Sequence, residues 1–326
     1  MKDPIIQLKG LTKQYGRVKA VDGLNLDIDK GEIFGLLGPN GAGKTTTILM
    51  MLGLTDPTSG TAFVCGHNAT SSPIQVKRKV GYMPDSVGFY DNMTALENLM
   101  YIGRLNGVPE RELKERSAEV LEIVGLAADQ HKKTSAFSRG MKQRLGLADV
   151  LIKNPDVIIL DEPTLGIDPT GVREFLALIK QLSRQQGLTV LLSSHHLHHV
   201  QQVCDRVGIF VNGKLLAQGD ISALSAQLFG IDNHITSVRL AQAVSQPWPL
   251  EPELRAWEAV TQFSIHENEL EFTSKSDLTA ALVRFLVEKG CDVIGVNQKN
   301  YGLDDIYQKY FESNSTKNTN HEKSIF

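Results

Sequence analysis

Residues 38–45 carry the sequence GPNGAGKT, which decides the fold of this 326-residue chain. They fit the pattern G-x-x-x-x-G-K-[ST]. A short apolar run, residues 33–37, precedes them, and a helix-length segment, residues 44–52, follows and ends at Gly53. A buried strand, a glycine-rich loop and a helix in this order predict an α/β fold with the loop at the carboxyl end of a central strand.

The loop also predicts a phosphate-binding site. Its glycines let the backbone curl with the N–H groups pointing inward, and the start of the following helix adds positive potential. Lys44 is placed to contact the β- and γ-phosphates, and Thr45 to bind Mg²⁺. The residues expected to hold phosphate are Gly38, Asn40, Gly41, Ala42, Gly43, Lys44, Thr45 and Thr46. A glycine-rich turn without a ligand is the alternative, and the strand-to-helix context disfavours it.

Two carboxylates follow a second apolar run. Residues 157–160 are Val-Ile-Ile-Leu, and Asp161 and Glu162 come directly after them. Ligands bind at the carboxyl ends of the strands in open α/β sheets. We therefore expect Asp161 to help hold Mg²⁺ and Glu162 to accept a proton from an attacking water. Taken alone this pattern is weak, but downstream of a phosphate loop it is strong.

The rest of the chain predicts a large α/β domain followed by a smaller α+β domain. Further strands of the first domain are predicted at residues 5–8, 21–28, 189–192, 207–211 and 214–217, and further helices at 109–124, with Pro109 as a first helical residue, and 172–184. The second domain is predicted to contain strands at 235–240, within 260–272 and at 292–296, a helix at 277–289, and a proline-containing linker at 247–252. We expect domains at 1–222, with a helical subdomain at about 87–150, and 223–312, then a disordered tail, 313–326.

Composition and charge narrow the function classes. The chain is 41% hydrophobic and 22% charged, as globular proteins are, and its net charge of -3 predicts no nucleic-acid partner. Its three cysteines are too widely separated to indicate a disulfide framework or a zinc site, which fits a reducing cytosol. We find neither a run of about 18 apolar residues nor the apolar core of a signal peptide, so we expect that the chain does not enter the membrane by itself.

Three further segments resemble one protein family. Residues 137–144, FSRGMKQR, resemble the LSGGQ signature peptide of ATP-binding cassette (ABC) proteins. Residues 165–168, LGID, resemble the D-loop of that family, and residues 193–195, SSH, resemble its switch-histidine loop. Tyr15 stands where the family has an aromatic residue that stacks on adenine. The resemblance covers about residues 5–219 and is closest to bacterial and archaeal exporter cassettes.

This resemblance implies a P-loop ABC cassette with a mixed-sheet core, an antiparallel edge sheet and a helical subdomain. It implies that ATP lies between the phosphate loop of one copy and the signature peptide of a second, so that Ser138 and Gly140 act on the partner's ATP. His195 is then expected to contact the γ-phosphate and to hold the attacking water near Glu162. His196, His198 and His199 are expected to be exposed helix histidines rather than metal ligands.

The family's partners are also implied. A homodimer is expected to drive a separate transmembrane permease, with residues 87–133 as the docking surface. The chain would then lie on the cytoplasmic face of the cell membrane, and the direction of transport would be export.

Two positions depart from the family's pattern. Asp85 follows Gly-Tyr-Met-Pro at a position where glutamine is common, and its shorter, charged side chain is expected to face Mg²⁺ or a water bound to it. Arg139 replaces a glycine of the signature peptide. It either adds a cation beside the partner's ATP or simply faces solvent, and the sequence leaves both options open.

The competing function is a soluble ABC ATPase that acts on the ribosome or on nucleic acid. Such proteins carry two cassettes in one chain, or a long coiled coil between phosphate loop and signature, whereas about ninety residues without a heptad run intervene here. A kinase or GTPase would leave the signature peptide and His195 without a role. The second domain is regulatory, dimerising or cargo-binding, and residues 302–307, GLDDIY, resemble the segment that closes many exporter cassettes, which favours placement against the cassette.

Overall fold

The structure is a computed structural model that describes residues 4–221, 223–225, 234–244 and 248–299. The chain divides into two units, residues 1–221 and 222–326. The predicted tail, 313–326, and the segment 302–307 lie outside the described residues, as do parts of the predicted second domain.

The first unit contains ten strands and seven α-helices among the residues that the structure describes. The strands are β1 (Pro4–Tyr15), β2 (Val18–Asp29), β3 (Ile33–Leu37), β4 (Ser59–Val64), β5 (His67–Asn68), β6 (Val80–Met83), β7 (Val157–Asp161), β8 (Thr189–Ser194), β9 (Arg206–Val211) and β10 (Lys214–Gly219). The helices are α1 (Lys44–Met51), α2 (Pro73–Lys79), α3 (Ala95–Leu105), α4 (Glu110–Ile123), α5 (Arg139–Leu151), α6 (Pro169–Gln186) and α7 (Leu197–Gln201).

The central sheet has six strands in the order β10-β9-β3-β8-β7-β6. The five strands from β9 to β6 are parallel, and β10 pairs with β9 as an antiparallel hairpin. Every residue of β3, β7 and β8 is buried, which explains why their sequences are continuous apolar runs rather than alternating ones. The carboxyl ends of these parallel strands therefore meet at one edge of the sheet.

A second sheet, β2-β1-β4-β5, is antiparallel. Along β2 buried and exposed positions largely alternate, as they do when one face packs on a core. On the neighbouring strand β1, the buried residues Ile6 and Leu8 belong to one hydrophobic cluster. This cluster also contains Phe34 and Leu36 of β3 and Ile48 of α1. The predicted fold, a mixed-sheet core with an antiparallel edge sheet, is confirmed.

Helices α3, α4 and α5 form the helical part of the first unit. Helix α3 begins with a capping box, in which Thr94 and Glu97 each accept a hydrogen bond from the other's backbone N–H. Helix α4 begins at Glu110, and Pro109 is its N-cap rather than a first helical residue as predicted. The backbone of Pro109 has a ψ angle of 136°, which places this residue outside the helix.

The second unit is a four-stranded antiparallel sheet with two described helices. Its elements are β11 (His234–Leu240), α8 (Glu251–Arg255), β12 (Val260–His266), β13 (Glu269–Ser274), α9 (Thr279–Glu288) and β14 (Val293–Lys299), with strand order β12-β13-β11-β14.

The predicted linker at 247–252 is wrong for its described part. Pro252 lies in the first turn of α8, where its missing N–H costs nothing, and Trp248 is buried and stacks on Phe263. This stretch therefore belongs to the core of the second unit. No helix in the described part of the chain combines the length and the apolar character needed to cross a bilayer.

Candidate functional site

The phosphate loop, residues 38–45, is held tightly between β3 and α1. Gly43 has a φ angle of 107°, and a Cβ atom there would lie 2.2 Å from the carbonyl oxygen of Ala20. A Cβ atom on Gly38 would lie 2.2 Å from the carbonyl oxygen of Phe210. Only glycine fits at both positions, so the loop is clamped by β2 on one side and β9 on the other.

A cavity of about 210 Å³ opens beside this loop. The residues that line it are Ala20, Pro39, Asn40, Gly41, Ala42, Gly43, Lys44, Thr45, Thr46, Asp85, Asp161 and Glu162. The structure thus brings Asp161, Glu162 and Asp85 together with the residues of the phosphate loop. Of the residues expected to hold phosphate, Gly38 does not line the cavity. A cavity rich in backbone N–H groups at a helix start suits a phosphate chain.

Lys44 is the cation of this cavity, and its side chain is buried. Its ammonium donates hydrogen bonds to the carbonyl oxygens of Gly38, at 2.7 Å, and Pro39, at 3.2 Å. The same ammonium lies 3.5 Å from Oε1 of Glu162. The lysine is thereby held at the cavity wall with its charge next to the loop amides.

Asp161 binds two hydroxyl groups. Thr45 donates to its Oδ2 at 2.9 Å, and Ser193 donates to its Oδ1. Ser193 is directly opposite Asp161 in the parallel pairing of β7 with β8, which explains why the two side chains meet. We did not predict from the sequence that Ser193 would contact Asp161. Its position directly after the apolar run 189–192, at the carboxyl end of a neighbouring strand, could have indicated this contact.

Glu162 points elsewhere because its backbone differs. Its φ angle is 48°, in the left-handed region, while Asp161 is still part of the strand. Its Oε2 lies 2.8 Å from Nδ1 of His195, and an ionised carboxylate accepts, so Nδ1–H is the donor. Its Oε1 is buried and has no hydrogen-bond donor. This oxygen faces the ammonium of Lys44 at 3.5 Å, and the residue lines the cavity, where a carboxylate can accept a proton.

The rings of three histidines lie close together at tilted angles. The ring centroids of His195 and His196 are 4.0 Å apart, and those of His196 and His199 are 5.1 Å apart. Burial, followed by the charge of His195, lowers the pKa of His196. His196 is exposed, whereas His199 is half-buried with its Nδ1 3.2 Å from the hydroxyl of Thr164, and the side chain of His198 lies outside the described set. Within the described residues no cluster has the composition and spacing of a metal site.

Asp85 and Tyr15 occupy different places relative to the cavity. Asp85 lines it. Burial and the charges of Asp161 and Asp85 raise the pKa of the neighbouring Tyr82 to about 12, so this phenol is neutral at physiological pH. Tyr15 lies at the end of β1, is 52% exposed and does not line the cavity, and the ammonium of Lys13 lies 5.1 Å from its ring centroid. An exposed ring of this kind offers a stacking face beyond the phosphate cavity.

Ser138 and Gly140 lie at the start of α5, and neither lines the cavity. Ser138 is the N-cap and accepts a hydrogen bond from the Met141 N–H at 3.2 Å. The structure therefore does not bring the signature peptide, residues 137–144, to the phosphate loop of its own chain.

Comparison with known proteins gives the same family from three directions. The family model described as "ABC transporter" matches residues 21–165. The chain is similar to the bacitracin transport ATP-binding protein BcrA of Bacillus licheniformis, with 36% identity over 306 residues that cover 94% of this chain and 96% of that protein. It is also similar to the linearmycin resistance ATP-binding protein LnrL of Bacillus subtilis (strain 168), with 38% identity over 280 residues that cover 85% and 86% of the two chains.

Among solved structures, the chain resembles a dimeric post-hydrolysis state of the ATP-binding cassette MJ0796 bound to ADP and Pi. The TM-score is 0.60 at 25% identity, and the match covers 66% of this chain and 98% of that one. The relatives, the family model and the geometry of the cavity agree. The chain belongs to the ABC transporter family and is an ATP-hydrolysing cassette subunit.

Proposed function

We propose that two copies of this chain close head to tail around two ATP molecules and that this closure drives export through a separate membrane permease. One observation carries the proposal. The cavity contains the groups for one side of a triphosphate, namely the loop amides, Lys44, Asp161 and Glu162, while Ser138 and Gly140 lie on a separate element. A second copy can supply the missing side, and ABC cassettes dimerise, as in the MJ0796 structure.

Each site residue then has a role in ATP hydrolysis. The amides of residues 38–46 and the ammonium of Lys44 bind the phosphates, and Tyr15 stacks on adenine. Glu162 takes a proton from the attacking water through Oε1, the carboxylate oxygen that accepts no hydrogen bond. His195, held by Glu162 through Nδ1, positions that water and contacts the γ-phosphate. Ser138 and the Gly140 amide bind the γ-phosphate of the partner's ATP.

The oxygen groups beside the phosphate loop fit Mg²⁺. The hydroxyl of Thr45 and the carboxylate of Asp161 are already in contact at 2.9 Å, and Asp85 lines the same cavity. Hard oxygen donors of this kind are what Mg²⁺ prefers, either directly or through water. We propose that these three residues hold the ion, which when bound neutralises charge on the phosphate oxygens.

The permease is proposed to dock at an apolar cleft of about 420 Å³. Ile102 and Leu105 of α3, which belong to the predicted docking segment, line it together with Leu54. Leu105 is 70% exposed and Leu54 is 53% exposed. Large exposed apolar side chains beside a cleft are typical of a surface that receives a partner's helix.

Export is proposed on the names of the relatives. One is a bacitracin transport protein and another confers linearmycin resistance, and resistance is most simply achieved by extrusion. ATP is available on the cytoplasmic side, so the dimer would act at the cytoplasmic face of the cell membrane. The net charge of -3 argues against the competing function on nucleic acid.

Copurification from membranes tests this function. The full chain is expected to bring down a polytopic membrane protein in equal amount, and Leu105→Asp is expected to reduce this recovery at least about tenfold, because a charge in an apolar contact costs several kcal/mol. Ile74→Asp is the matched control, since Ile74 is also apolar and exposed (57%), lies outside residues 87–133 and does not line the cleft. Recovery of ribosomes or DNA would contradict the transport function, and full recovery with Leu105→Asp would contradict the docking site.

A further inference from the structure

Arg139 of the signature peptide makes a contact with the D-loop, residues 165–168, of its own chain. A Cβ atom built on Gly166 would lie 2.5 Å from Cζ of Arg139, 2.6 Å from its Nε and 2.7 Å from its Nη1. Three atoms of the planar guanidinium therefore cover the α-carbon of Gly166. Arg139 is exposed and makes no hydrogen bond or ion pair with any described residue, so this packing is the contact that the structure shows for its guanidinium.

The segment under Arg139 leads directly back to Glu162. The Leu165 N–H donates to the Glu162 carbonyl at 3.1 Å, and the Ile167 N–H donates to the Thr164 carbonyl at 3.3 Å. Gly166 has a φ angle of 72°, which such a double turn requires. Two hydrogen-bonded turns thus connect Gly166 to the residue proposed as the general base.

The other end of the D-loop is also fixed. Asp168 caps α6 by accepting hydrogen bonds from the Thr170 and Gly171 N–H groups, at 3.2 and 3.1 Å. Behind it, Arg144 of α5 and Glu174 of α6 form an ion pair at 2.7 Å. Hydrogen bonds therefore hold both ends of the D-loop, and the guanidinium of Arg139 contacts Gly166 between them.

We propose that Arg139 is a positioning residue that couples the two nucleotide sites of the dimer. The inference rests on the proposed function, in which Glu162 acts on the ATP of its own chain while Ser138 acts on the partner's ATP. Arg139 lies next to Ser138 and contacts the loop that extends from Glu162. Within one chain, this contact joins the base of one site to the signature peptide of the other, so that occupation of one site shifts the second.

The residue types at this contact suit the role. A flat guanidinium can lie against a backbone α-carbon over a broad area, whereas the ammonium of lysine is a compact point charge. Glycine on the other side leaves room for this contact, because a Cβ atom at position 166 would displace the guanidinium. Arg139 is exposed, as in one of the two options that the sequence left open, and its side chain also contacts the D-loop.

Steady-state ATP hydrolysis by the copurified complex tests the coupling, because the Hill coefficient of two coupled sites approaches two. Arg139→Ala is expected to lower it toward one and to reduce kcat about tenfold, a loss within the usual range of coupling energies. ATP binding to the single chain and the thermal unfolding midpoint should stay as in the wild type. Arg139→Lys should recover little.

Gly166→Asn tests the same contact from the other side. Asparagine tolerates a positive φ angle, so this change keeps the turn while its side chain displaces Arg139. Gly166→Asn should lower the Hill coefficient and kcat as Arg139→Ala does. The double variant of Arg139→Ala and Gly166→Asn should lose no more of either quantity than the single variants. Arg173→Ala is the control, because this arginine is exposed on α6 and contacts Thr170 instead; its Hill coefficient should equal the wild-type value.

Three outcomes overturn the inference. These are a wild-type Hill coefficient of one, an unchanged Hill coefficient in Arg139→Ala, and additive losses in the double variant. The proposed function has its own readout, the ATP-dependent dimer of Glu162→Gln. If that dimer forms while the Hill coefficient of Arg139→Ala is unchanged, only the coupling role of Arg139 is wrong; if it does not form, both proposals fail.

Discussion

A single left-handed residue separates the tasks of the two adjacent carboxylates. Asp161 ends β7 and binds Thr45 and Ser193, whereas Glu162, with a φ angle of 48°, turns its carboxylate to His195 and Lys44. A non-glycine residue in this conformation costs on the order of 1–3 kcal/mol, and such strain concentrates at functional sites. The conformation is consistent with the different roles proposed for the two side chains.

Glu162→Gln is the first test at this scale. An amide keeps the size of the side chain but cannot accept the proton of an attacking water, so we expect turnover to fall by roughly two to four orders of magnitude while ATP binding is retained. Turnover is measured by phosphate release and binding by a fluorescent ATP analogue. Near-normal turnover would show that Glu162 is not the base.

Tyr15→Ala tests the adenine platform. Stacking of a base on an aromatic ring contributes about 1–3 kcal/mol, so we expect the Kd for ATP to rise between roughly 5- and 150-fold. Tyr15→Phe is the matched control, because it keeps the ring and removes the hydroxyl, and its Kd should stay within about twofold of the wild-type value. An unchanged Kd in Tyr15→Ala would place adenine elsewhere, and equal weakening in both variants would show that the hydroxyl rather than the ring makes the contact.

The sequence predicts the residue types of the site better than their contacts. Residues 38–46 and the acids after β7 follow from spacing, because a phosphate loop and parallel strands leave few places for them. The contact of Ser193 with Asp161 does not follow, since it depends on the register between β7 and β8. The packing of Arg139 on Gly166 depends on the path of a loop, which no local pattern encodes.

At the scale of elements, helix α5 serves two surfaces. Its first turn presents the signature peptide, and near its other end Asp149 lines the apolar cleft proposed for the permease. Burial raises the pKa of Asp149 to about 6, although the charge of Lys153 lowers it. The carboxyl group at this end of the helix is thus held in a poorly hydrated place.

Asp149→Asn should stabilise the folded chain at neutral pH. A raised pKa means that the neutral carboxyl is favoured in the fold, so its contribution is complete below the ordinary value of 3.8 and is lost as pH rises through about 6. We expect the variant to equal the wild type near pH 4 and to exceed its free energy of unfolding by about 2 kcal/mol at pH 7.

Urea unfolding at several pH values measures this difference. Asp129→Asn serves as the control for the removal of one carboxylate, because the side chain of Asp129 is 38% exposed, does not line the cleft and lies 3.6 Å from the ammonium of Lys132. A constant difference between Asp149→Asn and the wild type across the range would contradict the assigned burial.

Element types were predictable where one principle dominates. Continuous apolar runs gave β3, β7 and β8, because parallel strands are buried on both faces. The prediction failed at residues 248–252, where prolines favoured a linker. Pro252 is tolerated in the first turn of α8, and burial of Trp248 against Phe263 overrides the local signal.

At the scale of the whole molecule, we propose that function depends on a second copy. The chain presents a phosphate cavity and a signature peptide as separate surfaces, so a head-to-tail pair would complete two sites at once. ATP would bind the closed pair more tightly than the open pair and would therefore favour closure. Hydrolysis would remove this difference in affinity, so that the pair opens again. The roles of the second unit remain those that the sequence left open, regulation, dimerisation or cargo binding.

Sedimentation velocity with ATP tests this central claim most directly, when the Glu162→Gln chain is compared with the double variant that also carries Ser138→Ala. The single variant is expected to form a dimer that contains two ATP molecules, and Glu162→Gln with Ser138→Ala to remain a monomer that still binds ATP. Because Ser138 also caps α5, Ser138→Thr is the matched control, which keeps cap and hydroxyl and should dimerise. A dimer that persists with alanine at position 138 would contradict the shared site.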